Sequence, residues 1–317
     1  MKKYIGLDIG GTKCAAVLGT LAEEAIIEEK ITFPTADKTP EEILELFSSF
    51  ISEQAKKSEI AGIGIACGGP LNSKSGVIMK PPSLPLWDNI HIVDYFQEKF
   101  GIPTCLKNDA DACAVAEWRY GAGKGCENMI FLTFGTGLGA GLILGGRLYS
   151  GSSDCAGEIG HVRLTKNGPV GYNKAGSCEG YCSGSGIRRL ALIELEKEMK
   201  KGNTPDFLHK VGGIDNISAK TLAEAALDGD AFAKKIYRKS GKAFGKTLSI
   251  LIDLFNPEKI VVGGVFMRSG HLLMPEAEKV IRKESLSHSY GICKVVPAAL
   301  SENIGDVSAL AVAKGDL

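Results

Sequence analysis

Residues 3–20, KYIGLDIGGTKCAAVLGT, decide the fold: one apolar run ends at Asp8, the turn Gly10-Gly11-Thr12 follows, and a second apolar run starts after Lys13. Two short apolar segments joined by glycines predict a hairpin. AIIEEKITF, residues 25–33, supplies a third strand, so the chain opens as an antiparallel meander. PEEILELFSSFISEQAKK then has helical spacing, IAGIGIACGG reads as a strand, IVDYFQEKFG as a helix, PTCLKND as a strand and ADACAVAEWRYG as a helix. Strands that alternate with helices extend a sheet in parallel.

At Asn128 the pattern begins again. MIFLTFGTG and GAGLILGGRLY form a second strand, glycine turn and strand, with Thr133-Phe134-Gly135-Thr136-Gly137-Leu138-Gly139 at the bend. Residues 157–186 are rich in glycine and weakly periodic. Helical patterns follow at IRRLALIELEKEMKK and over residues 218–255, then a buried strand KIVVGGV, a strand CKVVPAAL and a small-residue helix GDVSALAVAKG. The expected division is a small lobe of residues 1–117 plus 302–317 and a large lobe of 118–301. No low-complexity linker separates them.

Composition narrows the function. The 317 residues hold 37 Lys plus Arg and 37 Asp plus Glu, so there is no overall positive field to gather nucleic acid or an anionic membrane. Forty glycines are about one in eight, against an average of about 7%, which directs attention to glycine-rich loops. MKKYIGLDIGG lacks the apolar stretch of roughly 7–15 residues of an export signal, and no run of about 18 apolar residues occurs. Nine scattered cysteines, an odd number, suit a reducing compartment and buried thiols. The expectation is a cytoplasmic protein with neither membrane nor nucleic acid as partner.

The two turns are alike in design. Glycine removes the Cβ so that backbone N–H groups can cradle a phosphate, and Thr12 or Thr136 adds a hydroxyl. A single such turn is also what any hairpin needs for positive φ. Two copies about 125 residues apart suggest that both halves of the molecule hold one polyphosphate. Neither copy has the Walker spacing or a G-x-G-x-x-G that opens a helix.

LDIGGTK, NDADACAVAE, TFGTGLGAGLILGG, AGEIGH, CEGYCSG, LFNPEKIVVGG and GDVSALAVA together resemble the ROK family of sugar kinases and repressors, nearly end to end. The resemblance implies an α/β, two-lobed actin/hexokinase-like (ribonuclease H-like) fold with duplicated mixed sheets and a central cleft. It implies ATP-dependent phosphorylation of a hexose, glucose to glucose 6-phosphate by default, with N-acetylmannosamine, N-acetylglucosamine, fructose and allose as alternatives. A homodimer is expected on the same ground.

Asp109 follows an apolar strand and precedes a helix, where it could serve as the helix N-cap. The C-terminal end of a strand is also where α/β sheets place their chemistry, and a kinase needs a carboxylate to orient the attacking hydroxyl. By resemblance Asp109 is the general base and Asn108 a sugar ligand. Asp8 beside a bound phosphate would be repelled without a cation, so it is expected to hold Mg2+ through water, a turn-stabilising role being the alternative. Gly10, Gly11, Thr12, Lys13, Gly135, Thr136 and Gly137 are the phosphate-binding candidates, and by resemblance Gly263 and Gly264 leave room for adenosine. Glu158, His161 and Glu179 are sugar ligands by resemblance, with Gly68, Gly69 and Ser83 on the sugar side.

Two departures stand out. Family members usually carry Asn where Ser83 stands. Most also carry C-x-C-G-x-x-G-C between the equivalents of His161 and Glu179, which with that His binds zinc. Here no cysteine matches, and Cys178 is one position off. Zinc is not expected; His161, Cys178 and Cys182, with Cys155, are the weak candidates for a rearranged site. Without metal, a ring nitrogen of His161 needs another partner. The rivals are a sugar-sensing repressor, for whose DNA-binding helices the start at Asp8 is expected to leave no room, and a silent sugar-binding protein.

Overall fold

The computed structural model describes residues 1–315. The first sheet is built from Lys3–Ile9 (β1), Lys13–Leu21 (β2), Ala25–Pro34 (β3), Ile60–Cys67 (β4) and Thr104–Asn108 (β5) in the order β3-β2-β1-β4-β5. The meander pairs antiparallel, while β4 and β5 add to β1 in parallel.

Side chains alternate across β1 with period two. Ile5, Leu7 and Ile9 are buried in one core with Phe47, Trp87 and Phe96. On that face lie Pro40–Lys57 (α1) and Ile92–Phe100 (α2). α1 starts at a capping box: the Glu42 N–H donates to Thr39 Oγ1 at 3.3 Å, and the Thr39 N–H donates to Glu42 Oε2 at 2.7 Å. The even-numbered face carries Gly6 and Asp8 and receives the last helix. Without a Cβ at Gly6, Ala309 comes so near that an added Cβ would lie 2.8 Å from its own. Asp109–Tyr120 (α3) follows β5.

The second sheet contains Met129–Phe134 (β6), Leu138–Ile143 (β7), Lys259–Gly264 (β8) and Lys294–Pro297 (β9), in the order β7-β6-β8-β9, with β8 and β9 parallel. Gly184–Met199 (α4), Ala219–Leu227 (α5), Ala231–Phe255 (α6) and Val265–Glu284 (α7) follow the turn at residues 178–181, and Ile304–Lys314 (α8) ends the described chain. The pattern over 218–255 is two helices rather than one, since Asp228, Gly229 and Asp230 end α5 and cap α6. α7 was not foreseen: it has no side-chain cap and holds Pro275 inside it, both of which erase the usual signals.

Two compact units emerge. One comprises Met1–Phe131, Gly141–Gly157 and the chain from Ala299 on; the other comprises Leu132–Ala140 and Glu158–Ala298. The division thus falls inside β6 and β7 rather than after residue 117, and residues 118–131 and 141–157 stay with the first sheet. The final two residues of the expected small lobe lie outside the described residues.

Candidate active site

In the first unit, β1 delivers Asp8 to the face that α8 covers, and its Oδ2 stands 2.9 Å from where a Cβ on Gly305 would be. Gly305 lies in the first turn of α8, whose dipole favours a carboxylate there. Burial, then the nearby charges of Asp109 and Asp306, push the Asp8 carboxyl up to about 6; Lys13 and Lys30 pull the other way. Lys30 Nζ donates to Asp306 Oδ2 at 2.6 Å.

The turn after β1 is closed by the Gly10 N–H donating to the Lys13 carbonyl at 3.1 Å, and Thr35 Oγ1 donates to the Gly10 carbonyl at 2.6 Å. Thr12 and Lys13 are exposed. A Cβ on Gly11 would lie 2.7 Å from Ser83 Cβ and 2.8 Å from its carbonyl oxygen. Ser83 therefore packs on the glycine turn as well as belonging to the segment expected on the sugar side.

β5 ends at Asn108, which is the N-cap of α3: its Oδ1 accepts the Ala110 N–H at 2.9 Å. Asp109 is the first helical residue, not the cap, and its Oδ1 shares that N–H at 2.8 Å. Its side chain reaches water, yet enough protein surrounds it that burial raises its pKa. A Cβ on Gly69 would lie 3.2 Å from Asn108 Nδ2, and one on Gly68 would lie 3.9 Å from Asp109 Oδ2. Gly68, Gly69, Asn108 and Asp109 are thus brought together, with Asp8 near enough to feel the Asp109 charge.

Among the described residues no three His, Cys, Asp or Glu side chains converge on a ready-made metal site. Mg2+ keeps several waters and takes one or two carboxylates plus phosphate oxygens. The mutually repelling carboxylates of Asp8 and Asp109 are a donor set that a dication would relieve.

In the second unit the bend after β6 is held from several sides. The Gly135 N–H donates to the Gly137 carbonyl at 3.0 Å, the Gly184 N–H to the Gly135 carbonyl at 2.8 Å, and Ser185 Oγ to the Thr136 carbonyl at 2.7 Å. Gly264, at φ +68°, lies against the Phe134 carbonyl where a Cβ would clash. Gly135, Thr136, Ser185, Arg188, Gly264 and Arg268 line a cavity of about 480 Å3, within the usual size for a small ligand. Gly263 is buried in β8 and outside that lining. Ser185, Arg188 and Arg268 were missed: Arg268 sits on the unforeseen α7, and an arginine at helical spacing reads as solvated surface.

Gly137 makes room for Glu179, whose Oε2 would lie 2.7 Å from a Cβ at that position and accepts the Leu138 N–H at 3.2 Å. A Cβ on Gly160 would lie 3.4 Å from Glu179 Cβ. Glu158 precedes a single turn at Ile159–His161 and its carbonyl accepts the His161 N–H at 3.1 Å. The His161 ring meets Tyr172 edge-on, with centroids 4.2 Å apart. Cys178 and Cys182 engage α6 instead: Thr247 Oγ1 donates to Cys178 Sγ at 3.3 Å and lies 4.0 Å from Cys182 Sγ. Burial pushes the Cys178 thiol up to about 11 and that of Cys182 well above its usual value. Cys155 is exposed, with Sγ 3.2 Å from the Ser153 carbonyl.

Glu117 on α3 is a further residue the sequence concealed. It is fully buried and accepts the backbone N–H groups of Ala122 at 2.8 Å, Ala299 at 3.1 Å and Leu300 at 2.8 Å. It anchors the point at which the chain re-enters the first unit.

These two sheets with their glycine turns define the two-lobed actin/hexokinase-like class. Within it the chain belongs to the ROK family, whose model matches residues 4–316. A glucokinase of Thermotoga maritima is 31% identical, covering 98% of this chain and 97% of that protein. The solved ROK family glucokinase of Streptomyces griseus in complex with glucose and AMPPNP is 29% identical, with a TM-score of 0.79 and 99% of each chain covered. A xylose repressor of Caldicellulosiruptor bescii is 26% identical, covering 99% of this chain and 78% of that protein.

Proposed function

We propose that the protein is an ATP-dependent hexose kinase that converts glucose to glucose 6-phosphate. The observation that carries this reading is the grouping of Asn108 and Asp109 against Gly68 and Gly69, with Asp8 near enough for its carboxyl to be raised by the Asp109 charge. In this reading Asn108 and the backbone at Gly68 and Gly69 hold the sugar. The Asp109 carboxylate orients one hydroxyl and accepts its proton as the oxygen attacks the γ-phosphorus and the bond to the β–γ bridging oxygen breaks, releasing ADP, positioning being most of the catalysis in phosphoryl transfer. Gly10 to Lys13 and Gly135 to Gly137 receive the phosphates. The cavity at Thr136 and Gly264 takes the adenosine, with Arg188 and Arg268 on its rim. Asp8 would hold Mg2+ through water, and that ion supplies charge neutralisation of the β- and γ-phosphate oxygens. Glu158, His161 and Glu179 take further sugar hydroxyls, and the active form is a homodimer.

Kinship to glucokinases along the whole chain supports the kinase reading. Kinship to a xylose repressor supports a non-catalytic sugar sensor as the rival. A coupled assay with ATP, Mg2+ and a panel of glucose, N-acetylmannosamine, N-acetylglucosamine, fructose and allose separates them. Turnover with glucose at the highest kcat/KM is expected. Saturable sugar binding without ADP release from any sugar would establish the sensor.

A further inference from the structure

In the second unit, α4, α6 and residues 164–169 wall a concavity of about 550 Å3 that shares no lining residue with the cavity at Thr136. Its charge is one-sided. Lys197, Lys239, Lys242 and Lys246 line it against one carboxylate, Glu194, which leaves three positive charges on a chain whose net charge is zero. Glu194 is 2% exposed and holds Lys197 at 2.8 Å, Lys239 at 2.7 Å and Lys235 at 3.1 Å. Among the described residues Lys242 has only Glu276, at 3.9 Å, and no carboxylate pairs with Lys246.

A solvated helix face interleaves acids with its lysines. Here Lys235, Lys239, Lys242 and Lys246 follow one another at spacings of four, three and four along α6, and the helix has no Asp or Glu before Asp253. Glu194 and Glu198 of α4 take up Lys235 and Lys239, which leaves Lys242 and Lys246, four apart, as the like charges that repel and oppose helix formation. The walls between the ammonium groups are apolar, from Leu164, Pro169, Tyr181 and Leu190. An anion with a body to lay on such a surface relieves the repulsion, and lysines bind phosphate as point charges.

We propose that this concavity binds a small phosphate-bearing organic anion of sugar-phosphate or nucleotide size. Lys242 and Lys246 meet the phosphate, beside the Glu194-paired Lys239, and the Tyr181 wall meets the body. Occupancy reaches the sugar loop: Tyr181 follows Glu179 by two residues, its hydroxyl lies 3.0 Å from Thr165 Oγ1, and the Pro169 carbonyl abuts Gly180. That consequence for Glu179 rests on the kinase reading; the binding itself does not.

The test is calorimetric titration of the full chain with fructose 1,6-bisphosphate, ADP and inorganic phosphate, repeated on Lys242→Gln/Lys246→Gln and on Lys197→Gln, all exposed positions outside the proposed catalytic groups. At least one probe should bind the double variant at least tenfold more weakly than wild type, with the same loss on raising salt, while basal turnover is unchanged. The phosphate arm shows whether free phosphate suffices or the organic body is required. No saturable binding of any probe to wild type overturns the proposal, as do superimposable isotherms for wild type and both variants. So does a change of oligomeric state in the variants with isotherms unaltered, which makes this face an interface between copies.

Discussion

Glu179 Oε2 accepts the backbone N–H of Leu138 at 3.2 Å, so a residue expected to grip the sugar is also a strut of the second glycine turn. Gly137 exists there without a Cβ because the carboxylate occupies that space. Removing the carboxylate should therefore disturb both substrates. Glu179→Ala is expected to raise KM for ATP and for the sugar, each by roughly tenfold, about 1.4 kcal/mol. Glu179→Gln keeps an acceptor for Leu138 and should spare the ATP value while still weakening the sugar. Steady-state kinetics with each substrate varied in turn decides this; an Ala variant that moves the sugar KM alone would remove Glu179 from the turn.

Asp109→Asn should leave the fold intact, because Asn108 also takes the Ala110 N–H, at 2.9 Å, and an amide at 109 keeps an acceptor oxygen for it. The amide keeps the size of the carboxylate but takes no proton. Turnover should fall by roughly 10²–10⁴ with sugar affinity largely retained. Stopped-flow or coupled kinetics on the purified variant measures it, and near-normal turnover would assign the proton to another group.

What the sequence disclosed of this arrangement followed the strength of local signals. β1 and α1 are legible in their bounds and β2 to within one residue at each end, since apolar runs broken by glycines and helical spacing are local chemistry. α7 was invisible because Gly264 offers no side-chain cap and Pro275 sits mid-helix; with it Arg268 was lost from the candidate site. Asp8 and Asp109 were both found, but not that their charges act on each other, which only the parallel addition of β4 and β5 to β1 brings about. The resemblance rather than the spacing singled out Glu158, His161 and Glu179, for a loop with little periodicity carries no register from which to place a side chain.

Asp8 binds its proton up to about pH 6 in the folded chain, against an ordinary carboxyl value near 4. A raised acid contributes stability that is present at low pH and lost as pH climbs through about 6. Asp111 is pushed to about 6 by burial as well and adds in the same direction. Asp8→Asn removes a charge that is costly at pH 8. It should stabilise the protein there by at most roughly 3 kcal/mol, the worth of about two pH units, and should add nothing at pH 4, where the wild-type group is already neutral. Its turnover should nonetheless collapse, since the amide does not hold Mg2+. Melting temperatures of both proteins at pH 4 and pH 8 test the sign; equal differences at the two values would refute it.

Glu117 gathers three backbone N–H donors in a fully buried site. Glu117→Ala removes the shared acceptor and leaves a cavity at a fully buried position, at roughly 1–3 kcal/mol for each donor left without a partner away from water. A loss of about 3 kcal/mol or more in urea unfolding is expected, with the earliest loss of amide protection at Ala122, Ala299 and Leu300. A variant as stable as wild type would mean that water replaces the carboxylate.

Ser83 packs on the first glycine turn and, in the proposed reading, also belongs to the sugar side. Its Cβ and carbonyl oxygen would stand 2.7 and 2.8 Å from a Cβ on Gly11, so its backbone is fixed against the first glycine turn, while its side chain is exposed. If Ser83 faces the sugar, its hydroxyl, shorter than an amide, would leave room for a bulkier group there. Where a buried polar partner is lost, discrimination between substrates changes by orders of magnitude. Ser83→Asn should therefore shift the ratio of kcat/KM between glucose and its N-acetylated competitors by at least about tenfold, some 1.4 kcal/mol. The fixed backbone should keep KM for ATP within about twofold. A hexose panel run on both proteins reads the two effects apart. Unchanged sugar ratios with a raised ATP KM would place Ser83 on the phosphate side alone, and sugar specificity would then have to lie in the loop between His161 and Glu179.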